Sequence, residues 1–307
     1  MPLPDDYLKY DRRSHGMDHE LYDWSMLPDR PKVRWPNGAK LALWVNVVLQ
    51  HFPLDTAKTP FPPPGGLERP YPDYWNYTLR DYGNRVGCYR LFRVLDALGA
   101  KASVAMNATL ATSTPFLASY VADRGYEVIA HGLDMAHLHA AGLDEAVERD
   151  WIGRSLEMLR KHTGQRVAGW LSPGQAESSN TLRLLAESGL EYCCDWSNDD
   201  MPYHFTGPAE GMLSMPYPFE LSDHTCMNLW FQTAEEFGQQ VVDKARLLLK
   251  ETDRSGCRIM ALALHASISG HPYRVRAIRE ALEAVLAMPG VWSAVPHDIA
   301  TVFKTQS

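Results

Sequence analysis

Polar and ionisable residues recur in this chain directly after apolar runs, and histidine is the most frequent of them. The densest case is GYEVIAHGLDMAHLH, residues 125–139. A short apolar run, 126–130, ends in His131-Gly132, and the loop behind it carries Asp134, His137 and His139. Imidazole gives and takes protons near neutral pH and is also a common zinc ligand. The pattern repeats along the chain. Gln50 and His51 follow LALWVNVV, Asn107 falls in KASVAMNA, Ser172 follows VAGWL, and Asp195 with Asp199 and Asp200 follows LEYCC. His265 follows RIMALAL. If these runs are parallel strands, all of these groups gather at one rim, where ligands bind in parallel α/β folds.

Histidines beside carboxylates make a general acid–base set. His131, His265, Asp134 and Asp199 are the catalytic candidates. Asp195 or Asp199 is positioned to orient an imidazole. Backbone amides of Ser172-Pro173-Gly174 are candidate oxyanion donors. No serine lies in a GxSxG elbow, so attack by water on a carbonyl fits better than an acyl-serine route. His51, His131, His137 and His139 are candidate ligands for a divalent metal such as zinc. None has a spacing as specific as HExxH, which leaves the question of a metal open at this point.

The elements that must hold these groups read as alternating strands and helices. Strands are expected at 41–48, 101–108, 126–130, 167–171, 190–194, 211–217, 258–264 and 290–295. The helices expected between and after them cover 88–98, 115–124, 144–162, 180–188, 234–252 and 274–287, with a short last one after Pro296. Asp144 is a plausible N-cap, and Thr233 to Glu236 reads as a capping box. The strands are apolar throughout, as in a sheet buried on both faces. The expectation is an α/β protein: a distorted (β/α) barrel of about seven parallel strands, residues 39–307, behind an extended N-terminal arm, residues 1–38. The arm's Asp18, His19 and Asp23 read as arm residues before they read as a site. The stretch 53–77 is rich in proline and aromatics and reads as a loop over the site or a subunit contact.

Net charge is −7 over 307 residues with no basic run, which argues against nucleic acid as a partner. The five cysteines form no CxxC pair, and two are adjacent, which points to a reducing compartment. The polar first residues do not read as a signal peptide, and no run has the length of a membrane span. A cytoplasmic protein with a small-molecule substrate is expected.

Five motifs, RDYGNRVG (80–87), GYEVIAHG (125–132), TGQRVAGWLSPGQAESSNTLRLL (163–185), CDWSNDDMPY (194–203) and LHASISGHPYR (264–274), fall in an order and spacing that resemble the polysaccharide deacetylase superfamily (NodB-homology, carbohydrate esterase 4). Within it the chain is most similar to the branch of PuuE-type allantoinases and cyclic imide hydrolases. The resemblance covers about residues 35 to 304. It implies a NodB-type barrel hydrolysing a non-peptide C–N bond, with His265 in the place of the family's general acid. It also implies a homo-oligomer, a dimer or tetramer. The departures concern the metal. Gln50-His51 stands where metal-dependent members have an Asp pair, and Met135 stands four residues after His131, where they have a second histidine. The branch is described as metal-independent, and this chain looks similar.

The substrate-binding candidates are Gln50, His51, Tyr82, Asn84, Arg85, Trp170, Ser172, Pro173, Asp195, Asp200 and His271. The leading expectation is hydrolysis of a small cyclic ureide, an imide or a related amide. An N-deacetylase acting on acetamido sugars is the alternative. An inactive ligand-binding barrel, suggested by Gln50, is the third reading.

Overall fold

A computed structural model describes residues 19–54 and 72–307. Asp18 and most of the 53–77 stretch, including Phe61 and Tyr71, lie outside the described residues. The chain enters through two short 3-10 turns, Leu27–Asp29 and Pro36–Gly38, and then forms β1 (Leu41–Leu49). Next come α1 (Tyr74–Tyr82), a π-helical turn (Gly83–Gly87) and α2 (Cys88–Leu98). They are followed by β2 (Ala102–Met106), α3 (Ala108–Ser113), α4 (Pro115–Ala122), β3 (Glu127–Ala130) and α5 (Glu145–Thr163). The middle of the chain gives β4 (Gly169–Trp170), α6 (Thr181–Glu187), β5 (Tyr192–Cys193), β6 (Tyr203–His204) and β7 (Leu213–Ser214). After a second π turn (His224–Leu229) come α7 (Ala234–Ser255), β8 (Arg258–His265), α8 (Ala266–Ser269), α9 (Pro272–Leu286), β9 (Val291–Ser293) and α10 (Pro296–Lys304).

The sheet order is β6-β7-β5-β4-β3-β2-β1-β8, all parallel except the β6–β7 pair. The first half of β1 pairs with β9 and the second half with β2, so both lie along the same edge of that strand. β1 to β5, β7 and β8 form the curled wall of a barrel. Its seam lies between β7 and β8, where a single parallel bridge, Ser222 to Ala263, joins the two sides. The fold is therefore the distorted parallel barrel read from the sequence.

Successive strand side chains point to opposite faces, and this alternation sorts the barrel into two cores. In β1, Leu41, Leu43, Val45, Val47 and Leu49 face the helical layer, and Ala42, Trp44 and Val48 face the barrel interior. In β8, Met260, Leu262 and Leu264 face the helices, and Ile259, Ala261 and Ala263 face inward. Burying each large side chain contributes roughly 1.5–3 kcal/mol, which makes the register expensive to shift. The interior is not wholly apolar. Trp44 Nε1 donates to Ser103 Oγ (2.7 Å), Ser103 to Asn46 Oδ1 (2.7 Å), and Asn46 Nδ2 to Tyr217 Oη (3.1 Å). That chain satisfies every polar group it buries, as low-dielectric surroundings require.

The caps expected at Asp144 and Thr233 are present. The expected helix 88–98 is present as α2, but the helical structure ahead of it was not expected. Helical structure begins at Tyr74 and runs on through the π turn into α2, so Gly83 and Gly87 sit inside it rather than ahead of it. Residues 19–35 run along the barrel wall: Tyr22 packs edge-on against Trp196 at 5.6 Å, and Trp35 is buried.

Candidate active site

The strand alternation carries three residues into the mouth of the barrel. Gln50 lies two positions beyond inward Val48, His131 two beyond inward Ile129, and His265 two beyond inward Ala263. All three line one cavity of about 820 Å³ at the C-terminal ends of the strands.

His131 is buried. Its Nδ1–H donates to the Leu171 carbonyl at 2.7 Å, which fixes the tautomer with the lone pair on Nε2. The Gln50 amide faces that nitrogen at 3.3 Å. Burial, with a smaller contribution from the nearby His265, lowers the His131 pKa to about 4, so the ring is neutral at pH 7. Asn107 locks the strand end from the side: its Oδ1 accepts from the His51 N–H, and its amide donates to the His131 carbonyl.

His265 rests on a carboxylate instead. Asp223 is fully buried and accepts from His265 Nδ1 (2.6 Å), from the His265 backbone N–H (2.7 Å) and from the Ser269 hydroxyl (2.5 Å). This leaves His265 Nε2 as the ring nitrogen available to the cavity. An imidazole oriented in this way can hold and transfer a proton. His224 stands beside it with ring centroids 5.6 Å apart, its pKa lowered to about 4, mainly by burial. Asp223 and His224 were not read from the sequence. They lie in SDHT, past the end of β7, and no apolar run points to them.

The remaining candidates fall in other places. Ser172 and His271 line the cavity. The Ser172 N–H donates to Asp195 Oδ1 at 2.6 Å, and Pro173 has no N–H, so Gly174 is the donor left on that loop for an oxyanion. Asp195 and His51 are corrections with one cause. Each lies one step out of phase with the inward series, following outward Cys193 and Leu49. Asp195 sits beneath the loop, and neither it nor His51 lines the cavity. Asp199 is bound by both terminal nitrogens of Arg30, at 2.7 and 2.6 Å, in a smaller cavity of about 270 Å³ that Asp200 also lines. Asp134 holds its own loop, accepting from His137 Nδ1 (2.6 Å) and the Ala136 N–H (2.8 Å). His139 is fully buried, bonded to Glu148 at 3.0 Å, and Glu148 in turn accepts from Ser178 and Thr181. Trp170 is a core residue whose Nε1 donates to Ser172 Oγ.

Tyr82, Asn84 and Arg85 support the cavity or lie outside it. Asn84 donates to the Gln50 carbonyl (2.8 Å), Tyr82 stacks on His271 at 4.5 Å, and Arg85 is exposed. The glycines of that motif have a clear physical role. A Cβ on Gly87 would come within 2.1 Å of the Ala266 carbonyl oxygen, and one on Gly83 within 2.4 Å of the Ser267 nitrogen. Their absence of side chains lets the π turn press backbone to backbone on α8, immediately after His265.

Residues 75–193 match the family model for polysaccharide deacetylase. Over that stretch the chain is similar to the polysaccharide deacetylase family. A Schizosaccharomyces pombe protein carrying the polysaccharide deacetylase name is 23% identical over 305 residues, covering 89% of this chain and 92% of that one. The solved structure of PuuE allantoinase superposes with a TM-score of 0.83 at 22% identity, over 97% of this chain and 98% of that one. A polysaccharide deacetylase structure from Pseudomonas aeruginosa PAO1 gives 0.79 at 24% identity, over 90% and 95%. At these identities the superpositions establish the fold.

Gln50, His131 and Met135 stand where the sequence resemblance leads one to look for a metal triad, and all three line the cavity. The set does not fit a hard divalent cation. It offers no carboxylate, its one imidazole lone pair faces the Gln50 amide, and a thioether is a soft ligand. His51, His137 and His139 do not replace the missing donors, for the reasons above. Among the described residues, one group of side chains is close enough to hold an ion: Glu177, Cys193 and Asp195. It lies beneath the Ser172 loop. Burial, then the neighbouring Asp195, pushes Glu177 up to about 9, and burial pushes the Cys193 thiol up, so both hold their protons at pH 7.

Proposed function

We propose that this protein hydrolyses a C–N bond in a small cyclic ureide, imide or related amide, with water as the nucleophile. The observation that carries this is the His265–Asp223 pair facing neutral His131 across one cavity. The volume, about 820 Å³, is in the range of small-molecule sites. None of the described residues lining the cavity is a carboxylate, so proton transfer falls to imidazole. His265 Nε2 takes a proton from the attacking water as the water oxygen bonds to the carbonyl carbon. The C–N bond then breaks, and the same nitrogen returns the proton to the leaving nitrogen. Asp223 holds the ring and stabilises its charged form. His131 and the Gln50 amide position water and substrate, and the Gly174 N–H serves the developing oxyanion. The donor set at Gln50, His131 and Met135 supports a reaction without a resident metal.

The likeness to PuuE allantoinase supports the ureide class. The polysaccharide deacetylase names support the second reading, an N-deacetylase of acetamido sugars. A turnover panel of hydantoin, dihydrouracil, succinimide and allantoin against N-acetylglucosamine oligomers separates them. Ring opening of at least one cyclic substrate, with activity retained after chelation, is expected. Turnover of the oligomers alone would assign the second reading.

A further inference from the structure

The connection between β7 and α7, residues 215–233, does two things. It brings Asp223 and His224 to His265, and it sets Phe219, Leu229 and Phe231 on the wall of the same cavity. These three apolar side chains are exposed, as is Tyr273 at the start of α9, which also lines the cavity. An exposed apolar residue on its own is ordinary. Four on the wall of one cavity make a patch, and such patches mark binding sites.

Phe231 is the informative member. It is 80% exposed, and its backbone lies in the left-handed region at φ 54°. The cause is local. The π turn His224–Leu229 closes with the Trp230 N–H on the Thr225 carbonyl (3.0 Å) and the Gln232 N–H on the Cys226 carbonyl (2.9 Å), and Phe231 is turned between those two bonds. Glycine is the usual residue where a helix ends in this conformation, because a Cβ is strained there. Phenylalanine is unfavourable here in two ways, as strained backbone and as wetted aromatic surface, and so exposed a ring offsets little of either by packing. Strain of this kind collects at ligand clamps. The cavity has room for what the ring would hold, since about 820 Å³ is well beyond the needs of a bare five-membered ring.

We propose that the substrate amide carries an aromatic substituent, which Phe231, Phe219 and Leu229 bind while the scissile bond lies against His265. The proposal rests on the small-amide reading above and narrows it to ring-substituted members. Hydrogen-bonding groups sit in the shielded part of the cavity and apolar side chains at its exposed part, so a polar ring with an aromatic arm matches both. Contact between the arm and Phe231 removes apolar surface from water and adds the attraction of paired rings.

The test uses the full chain and two readouts. Calorimetric titration compares 5-benzylhydantoin with hydantoin. The benzyl compound is expected to bind about 10-fold more tightly, equivalent to about 1.4 kcal/mol. Phe231→Gly suits the left-handed backbone, so it should fold as the wild type does while losing most of that advantage. Phe219→Ser should act in the same direction. The second readout is the ratio of kcat/KM for the two hydantoins, which should follow the binding ratio and, being apolar in origin, persist at raised salt. Equal binding of the two ligands, no binding of either, or a preference that survives both variants would overturn the proposal. Equal turnover of both hydantoins would do so while leaving the small-amide reading in place. A wild-type oligomer that Phe231→Gly dissociates, with no benzyl preference in either protein, would assign the patch to a second copy of this chain and overturn the proposal as well. If the benzyl compound binds through Phe231 while only N-acetylglucosamine oligomers are hydrolysed, the aromatic subsite stands and the small-amide reading fails.

Discussion

His131 and His265 occupy equivalent places, each ending a barrel strand in the inward register, yet their second nitrogens meet opposite partners. His131 Nδ1 rests on a carbonyl oxygen, and its Nε2 faces an amide. His265 Nδ1 rests on the carboxylate of Asp223. A carbonyl fixes a tautomer but gives little support to a positive ring, whereas a buried carboxylate supports it strongly. The same residue type on the same rim therefore has two roles. In the proposed reaction His131 is a neutral polar fixture, and His265 is the proton carrier.

The largest expected effect follows from that division. His265→Ala should lower kcat by about 10²–10⁴, the usual contribution of a general acid–base group, with substrate binding largely kept. Steady-state kinetics against single-turnover binding checks this, and an active His265→Ala protein would dissolve the comparison. Gly87→Ala attacks the same histidine from behind. Its new Cβ would meet the Ala266 carbonyl oxygen at 2.1 Å, so α8 must shift. A stability loss of about 1–3 kcal/mol is expected in denaturant unfolding, with reduced kcat from a displaced His265. Unchanged unfolding and kcat would show that the close approach is not needed.

Gln50→Glu would make the two histidines more alike. A carboxylate in place of the amide that now lies 3.3 Å from His131 Nε2 should raise the His131 pKa from about 4, read from its imidazole resonances in an NMR titration. No movement would mean that the Gln50 side chain does not govern that nitrogen.

The smallest effect concerns the loop between the two histidines. In the folded protein Glu177 keeps its proton to about pH 9, against an ordinary value of 4.5, because of burial and then Asp195. Between those values the unfolded chain has released the proton and the folded chain has not. The stabilisation is thus complete below about pH 4.5 and is lost as pH rises towards about 9. Glu177→Gln should lessen the fall in melting temperature across that window. An identical pH dependence in both proteins would remove Glu177 from the account.

Much of this architecture was legible from the chain. The strands are continuous apolar runs ended by polar residues, and Asp144 and the Thr233–Glu236 box mark helix starts by a local hydrogen-bond chemistry that tertiary packing did not override. Gln50, His131 and His265 were legible as strand-end residues. Counting by twos along β1, β3 and β8 also places them inward, and the same count along β1 and β5 turns His51 and Asp195 outward. The sequence was silent on Asp223 because it reaches His265 through the seam of the barrel, at a single bridge with no strand leading to it. It was misleading at Gly83 and Gly87. Glycine ordinarily punctuates a helix, and only the close approach of α8 explains its presence inside one. The partners of Asp199 and His139, Arg30 and Glu148, are set by packing that no local spacing encodes.

The most direct test of the division between the two histidines is the pH profile of kcat/KM for the wild type and Asp223→Asn, on whichever cyclic substrate the panel identifies. In that variant the His265 ring loses the charge that supports its protonated form and the acceptor that fixes its tautomer. The account predicts a loss of about 10²–10⁴ in kcat/KM and an altered pH profile. A variant with wild-type kcat/KM and an unmoved profile would contradict it.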